Sequence, residues 1–226
     1  IQSALWSSDK LLMKERFNET NIPIPWFSKI ISLENLKETV AKKTFSMVLK
    51  PVDSRGSRGV IRIQKSSDLE WCYNYSKNFS AKGRTIIEEY ILGPQISTES
   101  IVIKGKAHTL GFSDRNYDFL DKYYPHFIEN GGDLPPGCLT NVLKNKICTL
   151  IQNVANSLQV EDGIIKGDLV IKNNEPFIIE IGARLSGGYF SSHQIPLNCG
   201  IDLVTVAIKQ AIGQSINDDE IVSKYN

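Results

Sequence analysis

The chain has 226 residues, 41% hydrophobic and 23% charged, with a formal net charge of +1, enough for one large globular domain or two small ones with a real core. No block of Lys or Arg marks a nucleic-acid surface, and no apolar run approaches the roughly 20 residues of a membrane span, so neither nucleic acid nor membrane is an expected partner. Cys72, Cys138, Cys148 and Cys199 are widely spaced, with no Cys-x-x-Cys pair and no His at ligand spacing, which argues against a disulfide framework or a zinc site and for reduced thiols in a cytoplasmic protein. No signal peptide is visible, and the chain begins at Ile1 inside ordered-looking sequence, as a fragment of a longer protein would.

Ser8-Asp9-Lys10 opens a helix to about Glu19, with Ser8 as the expected N-cap, before Asn21-Ile-Pro-Ile-Pro25 stops it. Lys10 then sits in the first turn, where it opposes the helix dipole unless it reaches an anion or simply points into solvent. A short helix spans 33–42, and the strand 45–50 ends at Lys50. The loop Pro51-Val-Asp-Ser-Arg-Gly-Ser-Arg-Gly-Val60 follows, then a strand 60–64. Its glycines and serines let backbone N–H groups converge on an anion, so it reads either as a phosphate cradle or as a polar hairpin turn. It is neither a Walker A sequence nor a G-x-G-x-x-G fingerprint.

Ser67-Asp-Leu-Glu70 has the form of a capping box for a helix to about Phe79. Thr85-Ile-Ile-Glu-Glu-Tyr-Ile91 is a strand ahead of the hinge Leu92-Gly93-Pro94, and Glu99 lies in the strand 95–103, paired with 108–113 across Lys104-Gly105-Lys106. Glu88, Glu89 and Glu99 on such strands can also be outward edge charges that resist aggregation. The segment 123–136, with Gly131-Gly132 and Pro135-Pro136, is long enough for a functional loop. Leu143, Ile147, Leu150, Ile151, Val154 and Leu158 mark an amphipathic helix, and 202–212 forms a last helix ended by Gly213.

Between those helices, Asp168–Ile171 and Phe177–Ile181 flank a polar turn and read as a hairpin. A turn centred near Asn174 sets Asp168 opposite Glu180, and puts Leu169, Ile171, Phe177, Ile179 and Ile181 on an apolar face. Facing carboxylates about 5 Å apart at Cβ call for a cation or a proton between them. A divalent metal supplies one; lysines around a solvated surface hairpin are the alternative. Arg184 and Ser186-Gly-Gly then place an anion where the strand ends.

The helix-opening Asp9-Lys10, the strand-ending Lys50 with its Gly/Ser loop, Glu88-Glu-Tyr-Ile91 before Gly-Pro, and Glu180-Ile-Gly-Ala-Arg-Leu-Ser-Gly-Gly188 occur in the order and spacing of the ATP-grasp superfamily, which the chain resembles over nearly its whole length. The loop after Lys50 and the segment after Glu180 are most similar to L-amino acid ligases that make dipeptides and to related carboxylate-amine ligases. The resemblance implies an α+β fold with two subdomains gripping ATP between antiparallel sheets. It divides the chain into an N-terminal helical segment (1–22), a small lid subdomain with the phosphate loop (23–91) and a C-terminal subdomain with the metal hairpin (92–226). Carried over, it puts Lys10 and Lys50 on the ATP phosphates and Ser54, Gly56, Ser57, Arg58 and Gly59 in a mobile loop over the triphosphate. Glu88, Glu89, Tyr90 and Ile91 become the adenine hinge, and Glu99 the candidate ribose contact. Asp168 and Glu180 correspond to the two acidic ligands of Mg²⁺, for which Mn²⁺ could substitute, and Arg184 to the basic residue beside the reacting groups.

Two positions depart from the pattern. Gly182 stands where most of the superfamily has an Asn metal ligand, although Gly-Ala-Arg is usual in the amino acid ligase branch, and Gly132 stands where those ligases often have His. The implied reaction joins a small-molecule carboxylate to an amine through an acyl phosphate, releasing ADP and phosphate, with a homodimer left open. A carbamoyl-phosphate synthase-like half, a purine-pathway ligase and a non-catalytic ATP-binding module remain alternatives. The resemblance also implies a further N-terminal α/β domain, expected to be absent from this chain, cut away or not included.

Overall fold

In the computed structural model, which describes residues 1–225, the chain builds two four-stranded antiparallel sheets joined through the hinge after Glu89. Helix α1 (Gln2–Ser8) was not expected from the sequence; α2 (Lys10–Glu19) follows it directly. The break falls at Asp9, whose extended backbone frees its carboxylate to accept from Leu11 N and Leu12 N. Asp9, not Ser8, is therefore the cap, a role its short acceptor side chain suits.

The first sheet contains β1 (Phe27–Ile30), β2 (Met47–Pro51), β3 (Ile61–Ile63) and β4 (Thr85–Glu89) in the order β1-β4-β2-β3. Helices α3 (Leu33–Ala41) and α4 (Leu69–Asn78) cover it, closing a core of Ile30, Leu36, Met47, Leu49, Ile61, Ile63 and Ile87. The cap of α4 is again one residue from the expected one: Asp68 accepts from Glu70 N and Trp71 N, while the Ser67 hydroxyl meets Tyr124. The Ser67–Glu70 capping box does not form.

The second sheet contains β5 (Gln95–Ile103), β6 (Lys106–Asp114), β7 (Gly163–Lys172) and β8 (Glu175–Gly182) in the order β6-β5-β7-β8. Helix α5 (Asn141–Ser157) packs one face through Ile147, Ile151 and Val154 against Ile165, Leu169 and Ile178, and α2 adds Met13 and Phe17 to the same core. The other face is apolar at one end only. There Ile101 meets Phe190 of a π-helical turn (Phe190–Gln194), Ile195 of α6 (Ile195–Cys199) and Leu203 and Val206 of α7 (Leu203–Ala211). The remaining end of that face is polar and walls a cleft. Among the described residues, all four cysteines are free and no helix is long and apolar enough to cross a membrane.

Candidate functional site

The hairpin of β7 and β8 supplies the floor of the cleft. Asn173 and Asn174 both take positive φ (53° and 61°), the pair of left-handed residues that a two-residue turn matching strand twist requires. The register sets Asp168 directly opposite Glu180, as the alternation predicts. A bulge then displaces Ile179, so that Leu169 faces Ile178. Ile178 is fully buried in the core, whereas Ile179 lines the cleft and Phe177 is half-buried. The expected apolar face containing Phe177 and Ile179 is thus broken, because one extra residue reverses the alternation beyond it.

A cleft of about 670 Å³ opens between the two sheets. Of the residues singled out in the sequence, Lys10, Lys50, Ser54, Gly56, Ser57, Glu88, Glu89, Tyr90, Ile91, Asp168, Glu180 and Arg184 line it together. Arg58 and Gly59 do not. Gly59 packs at φ 75°, where a Cβ would come within 2.7 Å of the Phe79 Cβ, so it is held by packing against α4. Glu99 is also outside the lining: fully buried, it accepts from Ser186 N at 2.9 Å and so anchors the Ser186-Gly-Gly turn. Burial raises its carboxyl, with the Ser186 hydrogen bonds opposing. The strand residue that does reach the cleft at this edge is Gln95, immediately after the Gly-Pro hinge, and a ribose-facing role for Glu99 has no support from its position.

The cations are distributed unevenly. Lys10 Nζ donates to Ser54 O (2.6 Å) and lies 3.3 Å from Glu180 Oε1, tying the Gly/Ser loop to the hairpin. Asp168 accepts from Ser97 Oγ (2.7 Å) and pairs with Lys166 Nζ and with Arg115 Nη1 at 3.2 Å. Burial alone would raise the Asp168 carboxyl, but Lys166 and Arg115 hold it down at about 2. Lys50 Nζ is 2.8 Å from Glu88 Oε2, which Lys14 Nζ approaches to 3.4 Å. Glu88 sits in an interior strand and is buried, so the edge-charge alternative fails for it. Burial raises its carboxyl; Lys14 and Lys50 reverse that and hold it low.

Arg184 differs from all of these. It is exposed, its Nη1 donates to Leu185 O at 2.9 Å, and among the described residues no carboxylate lies within ion-pair distance. A second cavity of about 440 Å³ adjoins the first and shares Gly56, Arg115, Glu129, Lys166 and Arg184 with it. Beyond that shared rim it is walled by Ser97, Asp114, Gly131, Gly132 and Ser186–Gly188. Arg115, Lys166, Lys14 and Gln95 were not identified from the sequence. Lys166 shares a strand face with Asp168 and Lys14 a helix face with Lys10, periodicities that could have marked both; nothing local marked Arg115.

The donor set in the floor fits a divalent, oxygen-liganded ion. Two opposed carboxylates completed by phosphate oxygens and water is the usual composition of a magnesium site, and no group of three or more His, Cys, Asp or Glu could hold a metal by itself among the described residues. Gly182 adds no donor. A Cβ there would meet Arg184 Cγ at 3.5 Å and Nε at 3.6 Å, so the arginine stem occupies the space beside a position that lacks a side chain.

Comparison with known proteins agrees with this geometry. A family model described as an ATP-grasp domain matches residues 7–188. A carbamoyl-phosphate synthase of Methanobrevibacter smithii is 23% identical over 229 residues, covering 100% of this chain and 58% of its own length. A D-alanine–D-alanine ligase of Bordetella avium is 21% identical, covering 87% and 62%. The crystal structure of an L-amino acid ligase from Bacillus licheniformis superposes with a TM-score of 0.75 at 19% identity, covering 97% of this chain and 50% of that one. The chain therefore spans between half and about three-fifths of the length of these relatives. With the cleft, the facing carboxylates and the family match all in agreement, the chain belongs to the ATP-grasp family.

Proposed function

We propose that the chain is the nucleotide-binding and reacting portion of an ATP-dependent carboxylate-amine ligase, which forms an amide through an acyl phosphate and releases ADP and phosphate. The observation that carries this reading is the meeting of two cavities at Arg115, Lys166 and Arg184, the first two of which pair with Asp168 opposite Glu180. Phosphoryl transfer asks a protein for positioning and charge neutralisation more than for covalent chemistry, and this junction supplies both.

In this reading, nucleotide occupies the larger cleft, with its base along Glu89–Ile91 and its phosphates toward Lys10, Lys50 and Ser54–Ser57. Magnesium held by Asp168 and Glu180 would neutralise phosphate charge when bound. The substrate carboxylate enters from the second cavity and attacks the γ-phosphorus; the bond to the ADP oxygen breaks, leaving an acyl phosphate and ADP. An amine then adds to the acyl carbon, loses a proton and expels phosphate. Arg184, which like Arg55 lines the cleft without a carboxylate partner but unlike it also lines the second cavity, is the group free to meet the acyl phosphate and the oxyanion of the tetrahedral adduct. Lys166 and Arg115, already committed to Asp168, orient that carboxylate and line the path of the incoming carboxylate. The Gly/Ser loop, tied to the hairpin through Lys10, would keep water from the acyl phosphate.

An ADP-release screen of the intact protein over amino acids and small carboxylic acids tests this. Release that needs both a carboxylic acid and an amine supports the reading; nucleotide binding without ADP release across the panel would leave a non-catalytic module. The match of this whole chain to 58% of a carbamoyl-phosphate synthase favours one second reading, with bicarbonate as the acceptor, and bicarbonate-dependent ADP release in the absence of any other carboxylate would select it.

A further inference from the structure

Lys14 is a charged side chain with no contact to solvent and no place in the cleft lining. It lies one helical turn beyond Lys10 on the same face of α2, and its Nζ donates to the carbonyl of Ile178 in β8 (3.0 Å) while standing 3.4 Å from Glu88 Oε2 in β4. It therefore bridges the two sheets behind the cleft. Glu88 Oε2 also receives Lys50 Nζ at 2.8 Å, and Glu88 Oε1 is buried without a partner. A buried ammonium is costly unless its charge serves a purpose, and Lys50 alone would already neutralise Glu88.

We propose that Lys14 is a positioning residue that offsets the charge of Glu88, so that Lys50 presents an uncompensated positive charge to a polyphosphate in the cleft. Two ammoniums sharing one carboxylate leave a net charge of +1; Lys50 and Glu88 without Lys14 would leave none. Lys14 reaches the ligand only through Glu88 and Lys50, and its bond to Ile178 O fixes the distance between the sheet that carries Lys50 and the hairpin that carries Glu180. Burial lowers the Lys14 ammonium to about 8, with Glu88 opposing, so at pH 7 the charge is present.

This inference rests on the nucleotide reading above, and the test separates the two. At pH 7, calorimetry would give Kd for adenosine, AMP, ADP and ATP with Mg²⁺, and for tripolyphosphate, on the parent chain and on Lys14→Met. Losing one unit charge at a separation on the order of 8 Å and an effective dielectric of about 20 corresponds to about a tenfold or larger loss of affinity. The expected result is such a loss for ATP and tripolyphosphate, a smaller one for ADP and none for adenosine. Lys14→Met/Glu88→Gln, which leaves Lys50 unopposed, should recover most of the ATP affinity. A loss below twofold for ATP, or an equal loss for adenosine and ATP as a merely structural defect would give, overturns the proposal. If Lys14→Met does not fold, Glu88→Gln decides: tighter tripolyphosphate binding supports the proposal and weaker binding overturns it. A parent chain that binds tripolyphosphate but not ATP would sink the nucleotide reading and leave Lys14 to be judged on tripolyphosphate; one that binds neither sinks both.

Discussion

The two walls of the cleft each bury a carboxylate on an interior strand between two cations, yet they are built differently. In the second sheet, Asp168 has both oxygens engaged, by Ser97, Lys166 and Arg115, and Lys166 comes from its own strand two residues earlier. In the first sheet, Glu88 keeps one oxygen without a partner, and its second cation, Lys14, arrives from a helix. The Asp168 wall is set within its own half of the chain: Lys166 comes from the same strand, Ser97 from the neighbouring β5 and Arg115 from just past β6, while Glu180 faces it from β8. The Glu88 wall depends on α2 and so on how the two sheets are held. Each carboxylate is outnumbered by its cations; the Asp168 wall differs in having two further carboxylates beside it, Glu180 opposite and Glu129 on Arg115, whereas among the described residues Lys14 and Lys50 have no carboxylate but Glu88 within ion-pair distance.

Breaking the Asp168 wall has the largest expected effect. Asp168→Asn keeps a group for Ser97 and leaves Arg115 its pair with Glu129, but leaves the mostly buried Lys166 facing a neutral amide. Removing one partner of a buried pair typically costs about 3–5 kcal/mol, and the same change deletes a candidate metal ligand. Urea denaturation should show that loss, and Mg²⁺ should no longer strengthen ADP binding. An unchanged Mg²⁺ dependence would move the metal site elsewhere. Arg184→Ala tests the junction between the walls. Arg184 is exposed and holds nothing in the fold beyond Leu185 O, so stability and ATP binding should be retained while turnover falls by about 2.7–4 kcal/mol of barrier, the usual cost of one lost electrostatic donor. Near-parental turnover would remove Arg184 from the reaction.

How much of this was legible follows the range over which each contact acts. The facing of Asp168 and Glu180 could be read because strand alternation and a two-residue turn are local properties. The bulge at Ile179 could not, since nothing in Phe177–Ile181 distinguishes an extra residue from a regular strand, and it moved Ile178 into the core in place of Ile179. Both misread helix caps were one residue off, at Ser8-Asp9 and Ser67-Asp68, where a serine precedes an aspartate; Asp9 also pairs with Arg84, 75 residues away, which no local pattern reveals. Glu99 was taken toward the ribose because the family resemblance asks for a Glu near the hinge. In the structure it is anchored by Ser186, 87 residues on, and stabilises the turn after Arg184. Arg115, Lys166 and Lys14 went unread for the same reason: each is recognisable only by the acid it meets in the folded chain, although Lys166 and Lys14 lie at strand and helix spacing from residues that were read.

The smallest expected effect bears on the Glu88 wall. In the unfolded chain Lys14 should titrate near the ordinary lysine value of about 10.4, while in the folded chain burial brings it to about 8 against the opposing pull of Glu88. Between those values the unfolded state holds a proton that the folded state has released, so stability should rise with pH across that window. The groups facing Lys14 are Glu88 from β4, Lys50 from β2 and, more distantly, Glu180 from β8, and Glu88, held low by Lys14 and Lys50, stays ionised throughout it. Groups remote from Lys14 contribute equally to parent and variant and cancel in the difference. The unfolding free energy of the parent minus that of Lys14→Met, followed by urea denaturation from pH 7 to pH 10, should therefore grow by on the order of 2 kcal/mol toward the alkaline end. A flat difference would mean that Lys14 keeps its proton, and that Glu88 outweighs burial in setting the charge behind the cleft.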